Sequence, residues 1–168
     1  MQGGIFLLLG SNLGDRFKQL ADAVEHIRTF ATIINSSSVY STGAWGNTNQ
    51  PDFLNQVIEV DTPVAPRLLL INILDVELKM GRQRIEKWGS RVIDIDILFY
   101  RDMIVDTEEL QVPHPQLQNR KFALVPLREL APDFLHPVFR KTIARIDDEC
   151  TDNLKVTRLQ PPHSEQSS

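Results

Sequence analysis

The run Ile93-Asp94-Ile95-Asp96-Ile97 constrains the fold more than any other part of the chain. Side chains two apart on a strand share a face, so a strand over residues 92–100 sends the three isoleucines into the core together. Asp94 and Asp96 then point together to the other side. Two neighbouring ionised carboxylates repel unless a cation or a shared proton relieves them. Magnesium takes oxygen ligands and commonly uses one or two carboxylates plus substrate phosphates. On these residues alone a solvated strand face remains the other reading, although the unbroken apolar partner face holds the pair rigidly.

The rest of the chain supplies neighbours for that strand. Residues 5–9 are an apolar first strand, closed by Gly10-Ser11-Asn12. Phe17, Leu20, Val24 and Ile27 recur at helical spacing, with Ser11 or Asn12 as the cap and Asp15 in the first turn. Residues 33–41 read as a second strand, 43–52 as a long loop and 53–60 as a third strand. Pro66 opens a helix that runs to about Met80, with Gly81 as its stop. A basic loop over 82–91 leads into the aspartate strand. Arg101-Asp102 then turns toward a short partner strand near 103–105. Helices follow from about Gln118 and over 141–148. The order predicts an α+β, ferredoxin-like βαββαβ core with a mainly antiparallel sheet, helices on one face and the site on the other.

Composition narrows the setting. The chain has 168 residues, a size for one domain, assigned here to 1–160 with a disordered polar tail over 161–168. A formal net charge of −4 argues against a general grip on nucleic acid. The one cysteine, Cys150, allows no internal disulfide and suits a reducing, cytoplasmic setting. The first apolar run is too short for a membrane span or a signal-peptide core. The expectation is a cytoplasmic monomer that acts on small molecules, with no membrane or nucleic-acid partner and no fused neighbouring domain.

Other residues carry chemistry in a pattern. Arg82, Arg84, Lys87 and Arg91 precede the aspartate strand with only Glu86 to offset them. Arginine's planar fork binds phosphate oxygens bidentately, although a solvated loop explains any one of these cations. Phe53 and Asn55 share a strand face, so a ring and an amide stand ready to stack on a flat heterocycle and read its edge, or else to pack in the core. Trp45, Trp88 and Phe122 are further aromatic candidates. His114, between two prolines, either meets a phosphate or decorates a turn. No Gly-x-x-x-x-Gly-Lys-Ser/Thr motif is present, so any ATP must be held by metal and side chains.

Taken together, the pieces resemble the 6-hydroxymethyl-7,8-dihydropterin pyrophosphokinases of folate biosynthesis. The resemblance runs from Leu9 to about Pro132 and rests on several motifs. They are Gly10-Ser11-Asn12, Gln50-Pro51-Asp52-Phe53-Leu54-Asn55, Glu77 with Gly81-Arg82-x-Arg84, and Trp88-Gly89-Ser90-Arg91 leading into the aspartate strand. Val112-Pro113-His114 and Asn119-Arg120-Lys121-Phe122 complete the set. The resemblance implies transfer of the terminal diphosphate of ATP to a pterin hydroxymethyl group, with release of AMP and two magnesium ions in play. It implies that Asp94 and Asp96 bridge both metals, and that Phe53 and Phe122 sandwich the pterin while Asn55 reads its edge. Thr42, Gly43, Trp45 and Trp88 would line that pocket. Arg82, Arg84, Arg91, His114 and Arg120 would contact ATP phosphates, with Glu77 and Ile97 beside the nucleotide. Arg82, Arg91 and Asp96 would be catalytic, and the loops over 43–52 and 82–91 would close over the site.

Four positions depart from the family pattern. Gly43 and Ser90 stand where proline is common, and Leu74 and Glu109 where some members carry glutamine and arginine near ATP, so those two contacts are not transferred. Two other readings compete. A nucleotidyl- or glycosyltransferase also uses Asp-x-Asp with a metal, and an RNA-binding module also uses this kind of sheet, though with aromatics where this face carries aspartates.

Overall fold

A computed structural model describes residues 4–43, 51–81 and 92–160. Its central strand is β1 (Ile5–Ser11), buried along its whole length. Beside it run β4 (Phe53–Asp61) and β5 (Asp94–Tyr100), both antiparallel to it. Beyond β4 lie β2 (Thr32–Ser36) and β3 (Val39–Thr42), and β8 (Val156–Leu159) pairs with β3 at the far edge. The order is therefore β5-β1-β4-β3-β8, with β2 also on β4.

Alternation sorts the sheet into two faces. Ile5, Leu7, Leu9, Leu54, Ile58, Ile95 and Ile97 pack with α1 (Arg16–Ile27) and α2 (Pro66–Lys79). Phe6, Leu8, Val57 and Phe99 point the other way. Part of that second face is covered by α3 (Lys121–Leu130) and α4 (Ile143–Glu149), through Leu124, Leu127, Ile143 and Ile146. Helices on one face and an open site on the other thus holds for α1 and α2. The other face is shared between α3–α4 and the part of the sheet that stays open.

Several local expectations change. The extended stretch 33–41 is two strands because Ser37 inserts its side chain into the ladder. Val57 N–H donates to Ser37 Oγ at 2.9 Å, while Ser37 N–H donates to the Val57 carbonyl at 2.8 Å. A hydroxyl in place of a carbonyl breaks the register. Asp15 is itself the cap of α1, accepting the Lys18 N–H at 3.1 Å, in place of Ser11, which ends β1, or Asn12. The residues after Arg101-Asp102 do not pair with β5; β6 (Val105–Asp106) pairs with β7 (Gln111–Val112). Near Gln118 the chain makes a 3-10 turn, Leu117–Asn119, before α3 begins. Strand β8 had no counterpart in the sequence reading.

His136 shows how tightly the α3–α4 side is packed. It is 3% exposed, stacks on Phe139 at 4.1 Å, and accepts the Val138 and Phe139 N–H groups on Nδ1, each at 3.1 Å. Burial pushes its pKa down to about 4. The unfolded imidazole, with a pKa near 6.5, binds a proton where the native one does not, so stability falls as pH drops from about 6.5 toward 4. His136→Asn keeps an acceptor and cannot be protonated. Its unfolding midpoint should therefore fall less steeply across that window, and parallel profiles for the two proteins would remove His136 as a cause.

Candidate active site

The open part of the second face holds a cavity of about 200 Å³. Strand register explains its floor. Asp94, Gly10, Asn55 and Tyr40 stand side by side across β5, β1, β4 and β3, and Asp96 lies beside Leu8 in the next row. Asp94, Asp96, Gly10, Leu8 and Asn55 all line the cavity. Thr42 and Gly43, at the end of β3, and Phe53, at the start of β4, form one rim. Arg120 and Phe122, at the start of α3, form another.

The polar end near Asn55 is built, not incidental. Asn55 is 4% exposed and donates through Nδ2 to Thr42 Oγ1 at 3.1 Å. With the amide turned this way, its carbonyl oxygen lies toward Gly10. A Cβ added at Gly10 would lie 2.8 Å from Asn55 Oδ1. No side chain larger than hydrogen fits there while the amide stays in place, which is the usual meaning of glycine inside a strand. The two rings at the rims, Phe53 and Phe122, supply apolar walls. Arg120 stacks over the Phe122 ring, 5.6 Å from its centroid, and so holds its charge at the mouth.

The other end is the charged one. Asp94 and Asp96 both reach the cavity from one strand face, while Ile93, Ile95 and Ile97 are buried on the opposite side. Among the described residues no cluster of three or more His, Cys, Asp or Glu side chains forms a closed cage. Among these residues the aspartate pair alone offers a cation carboxylate oxygens in the cavity, which leaves room in its shell for water and phosphate oxygens. That donor set fits magnesium and fits neither a structural zinc nor an all-protein calcium site.

His114 lies near this end. Its pKa is lowered to about 4, chiefly by burial and next by the Arg120 charge, with Asp94 opposing. Nδ1 accepts the Gln116 N–H at 3.1 Å, so the ring proton sits on Nε2. At neutral pH the ring is an uncharged donor.

Not every anticipated residue meets the cavity. Ile97 is 5% exposed within the α1–α2 core, so its side chain faces away from the aspartates. Glu77 is 2% exposed on α2 and accepts the Ile95 N–H at 3.0 Å, on the helical side of β5. Both stand behind the aspartate strand, not in the pocket. Trp45, Arg82, Arg84, Trp88 and Arg91 lie outside the described residues. Glu109 pairs with Arg67 at 3.2 Å beside the β6–β7 hairpin. Leu8, Gly10 and Leu154 line the cavity without having been singled out for it. Gly10 carried a signal, a glycine closing an apolar run; Leu154 carried none.

Comparison with known proteins bears on this arrangement. The family model described as 7,8-dihydro-6-hydroxymethylpterin-pyrophosphokinase (HPPK) matches residues 6–132. The chain belongs to this family. It is 44% identical over 147 residues to the 2-amino-4-hydroxy-6-hydroxymethyldihydropteridine pyrophosphokinase of Aquifex aeolicus, covering 88% of this chain and 92% of that one. It is 42% identical over 146 residues to the like-named protein of Methylorubrum extorquens, covering 84% and 92%. Among solved structures, wild-type Plasmodium falciparum HPPK-DHPS with pterin and p-hydroxybenzoate superposes with a TM-score of 0.69 at 19% identity. That match covers 88% of this chain and 42% of the other, so the chain spans under half of that HPPK-DHPS chain. At this identity the likeness is one of fold. The HPPK match contains every cavity-lining residue named above except Leu154. No helix among the described residues is long and apolar enough to cross a membrane.

Proposed function

We propose that this pyrophosphokinase moves the β,γ-diphosphate of ATP onto the hydroxymethyl oxygen of 6-hydroxymethyl-7,8-dihydropterin, a step of folate biosynthesis. The observation that carries this reading is one cavity with two unlike ends. A buried amide fixed between Thr42 and Gly10, with Phe53 and Phe122 at the rims, suits a flat polar heterocycle. The Asp94–Asp96 pair a short way along the sheet suits a metal-bound polyphosphate. The cavity is smaller than the ~300–1,000 Å³ of drug-sized ligand pockets, which fits one small ring better than a whole nucleotide.

In this reading Phe53 and Phe122 hold the ring and Asn55 reads its edge, with Thr42 holding the amide. Asp94 and Asp96 would hold magnesium, two ions by analogy with the family; bound there, the metal would neutralise and align the phosphates. The pterin oxygen attacks the β-phosphorus, the bond from that phosphorus to the α,β-bridging oxygen breaks, and AMP leaves. Asp96 is the carboxylate assigned to the attacking hydroxyl and its proton. Arg120 faces the developing charge at the mouth, and neutral His114 donates from Nε2 without adding charge. Arg82, Arg84 and Arg91 complete the phosphate contacts, with Arg82 and Arg91 assisting the transfer, while Trp45, Trp88 and Gly43 complete the ring site. Glu77 and Ile97 would act from behind β5, through the strand backbone.

We read residues 1–160 as one domain with the ferredoxin-like arrangement; the order β5-β1-β4-β3, antiparallel throughout, supports that. A cytoplasmic monomer without nucleic-acid or membrane partners is the accompanying proposal, supported by the net charge of −4 and the single cysteine.

The test is direct. Incubated with ATP, magnesium and the reduced pterin alcohol, the protein should form AMP and pterin diphosphate in equal amounts, and a chelator should stop it. ADP or free pyrophosphate as the product would overturn the reaction in favour of an ordinary kinase or a nucleotidyltransferase. Retention on RNA at physiological salt without AMP formation would favour the RNA-binding alternative.

A further inference from the structure

The cavity has a wall that comes from beyond the residues matched by the family model. Leu154 lines it, twenty-odd residues past the end of that match at 132. One carboxylate ties the segment to the start of α3. Asp152 Oδ2 accepts the Lys121 N–H at 3.0 Å, and Asp152 Oδ1 accepts the Leu154 N–H, also at 3.0 Å. No side chain near the start of α3 caps that helix locally. A residue from far along the chain therefore satisfies one of its first N–H groups, at the end where helix polarity favours a negative charge.

The placement matters because Lys121 lies between two cavity residues, Arg120 and Phe122. Its own side chain is fixed as well, donating to Asp147 Oδ1 at 2.9 Å and to the Asp147 carbonyl at 2.7 Å. Asp152 thus links the helix start that presents Phe122 and Arg120 to the backbone that presents Leu154. Strand β8 follows at once and pairs with β3, whose end carries Thr42, so the segment is pinned at both ends.

Resting on the reading of this cavity as the pterin site, we propose that residues 152–154 form a working wall of it. Leu154 is a specificity-determining contact for the ring, and Asp152 is a positioning residue that sets Phe122 and Arg120 against it. Leu154, the residue of this wall that lines the cavity, is apolar and faces a bicyclic heterocycle, so it governs which ring substituents are admitted. It has no part in holding ATP.

Steady-state kinetics with each substrate varied separately test this. Leu154→Ala should raise KM for the reduced pterin roughly tenfold, leave KM for ATP and kcat within about twofold, and improve relative turnover of pterins with bulkier ring substituents. Leu154→Met, which refills the volume, should restore the pterin KM. Asp152→Ala should raise the pterin KM and lower kcat, with Asp152→Asn in between because one acceptor oxygen remains. A pterin KM unchanged in Leu154→Ala, or equal rises for both substrates, would overturn the wall. If Asp152→Ala does not fold, the Leu154 pair decides the matter alone. Failure of the unsubstituted protein to bind the pterin overturns the assigned function itself, a result read before any variant is made.

Discussion

Asp94→Ala and Asp96→Ala should each reduce turnover on the order of a thousandfold or more while leaving the protein folded. The size follows from what the pair is asked to do. Removing one preorganised group that faces developing charge costs about 100- to 1,000-fold in well-studied sites, and in the proposed reaction each carboxylate would also anchor the metal. The fold should survive because both side chains are only partly buried and project from the face opposite the isoleucine core. Thermal unfolding should therefore stay within a few degrees of the parent. Direct binding should separate the two ligands: affinity for magnesium–ATP drops sharply, while the pterin ring still enters its slot. Parental turnover in either variant would remove the aspartates from the chemistry, and unfolding of both would make the pair structural.

The second large effect concerns a residue with no functional group. Gly10→Ala should weaken pterin binding by roughly 10- to 100-fold, the equivalent of about 1–3 kcal/mol for displacing one buried hydrogen-bonding amide. The added carbon would lie 2.8 Å from Asn55 Oδ1, so the amide must move, and any such move disturbs its bond to Thr42. Asn55→Ala should cause a loss of the same order, with ATP affinity unchanged in both. The sharper expectation is that the two losses do not multiply. Once the amide is gone there is nothing for the new methyl to displace, so Gly10→Ala in the Asn55→Ala background should cost under about twofold. Independent, multiplying losses measured by titration would mean that Gly10 acts on the pocket by some other route.

What could be read in advance, and what could not, divides along physical lines. The two-residue period of a strand admits no ambiguity once the strand is found, so the separation of Ile93, Ile95 and Ile97 from Asp94 and Asp96 was readable and holds. The same parity placed Phe53 and Asn55 on one face. Parity also implied that Ile97 points away from the aspartates, and the nucleotide role assigned to it by resemblance ran against that geometry. Glu77 is similar: a carboxylate on a helix gives no notice that it will accept a strand N–H. Ser37 splits a strand because its hydroxyl substitutes for a carbonyl, which depends on where β4 lies. Leu154 and Asp152 were invisible for the same reason, since Asp152 matters only through Lys121, distant in sequence and adjacent in space. Local periodicity survives translation into structure; contacts between remote segments have to be seen.

The central position of β1 has a consequence for how the protein is made. Its first residue pairs with Val60 on one side and Tyr100 on the other. A ribosome releases this strand before either partner, and the second partner follows much later, on the order of ten seconds at ordinary elongation rates. Throughout that interval a largely apolar segment is outside the tunnel with at least one edge unpaired, the state from which nascent chains clump together. Yield in a cell should therefore depend on how fast translation runs and on holdase capacity, more than on how stable the finished molecule is.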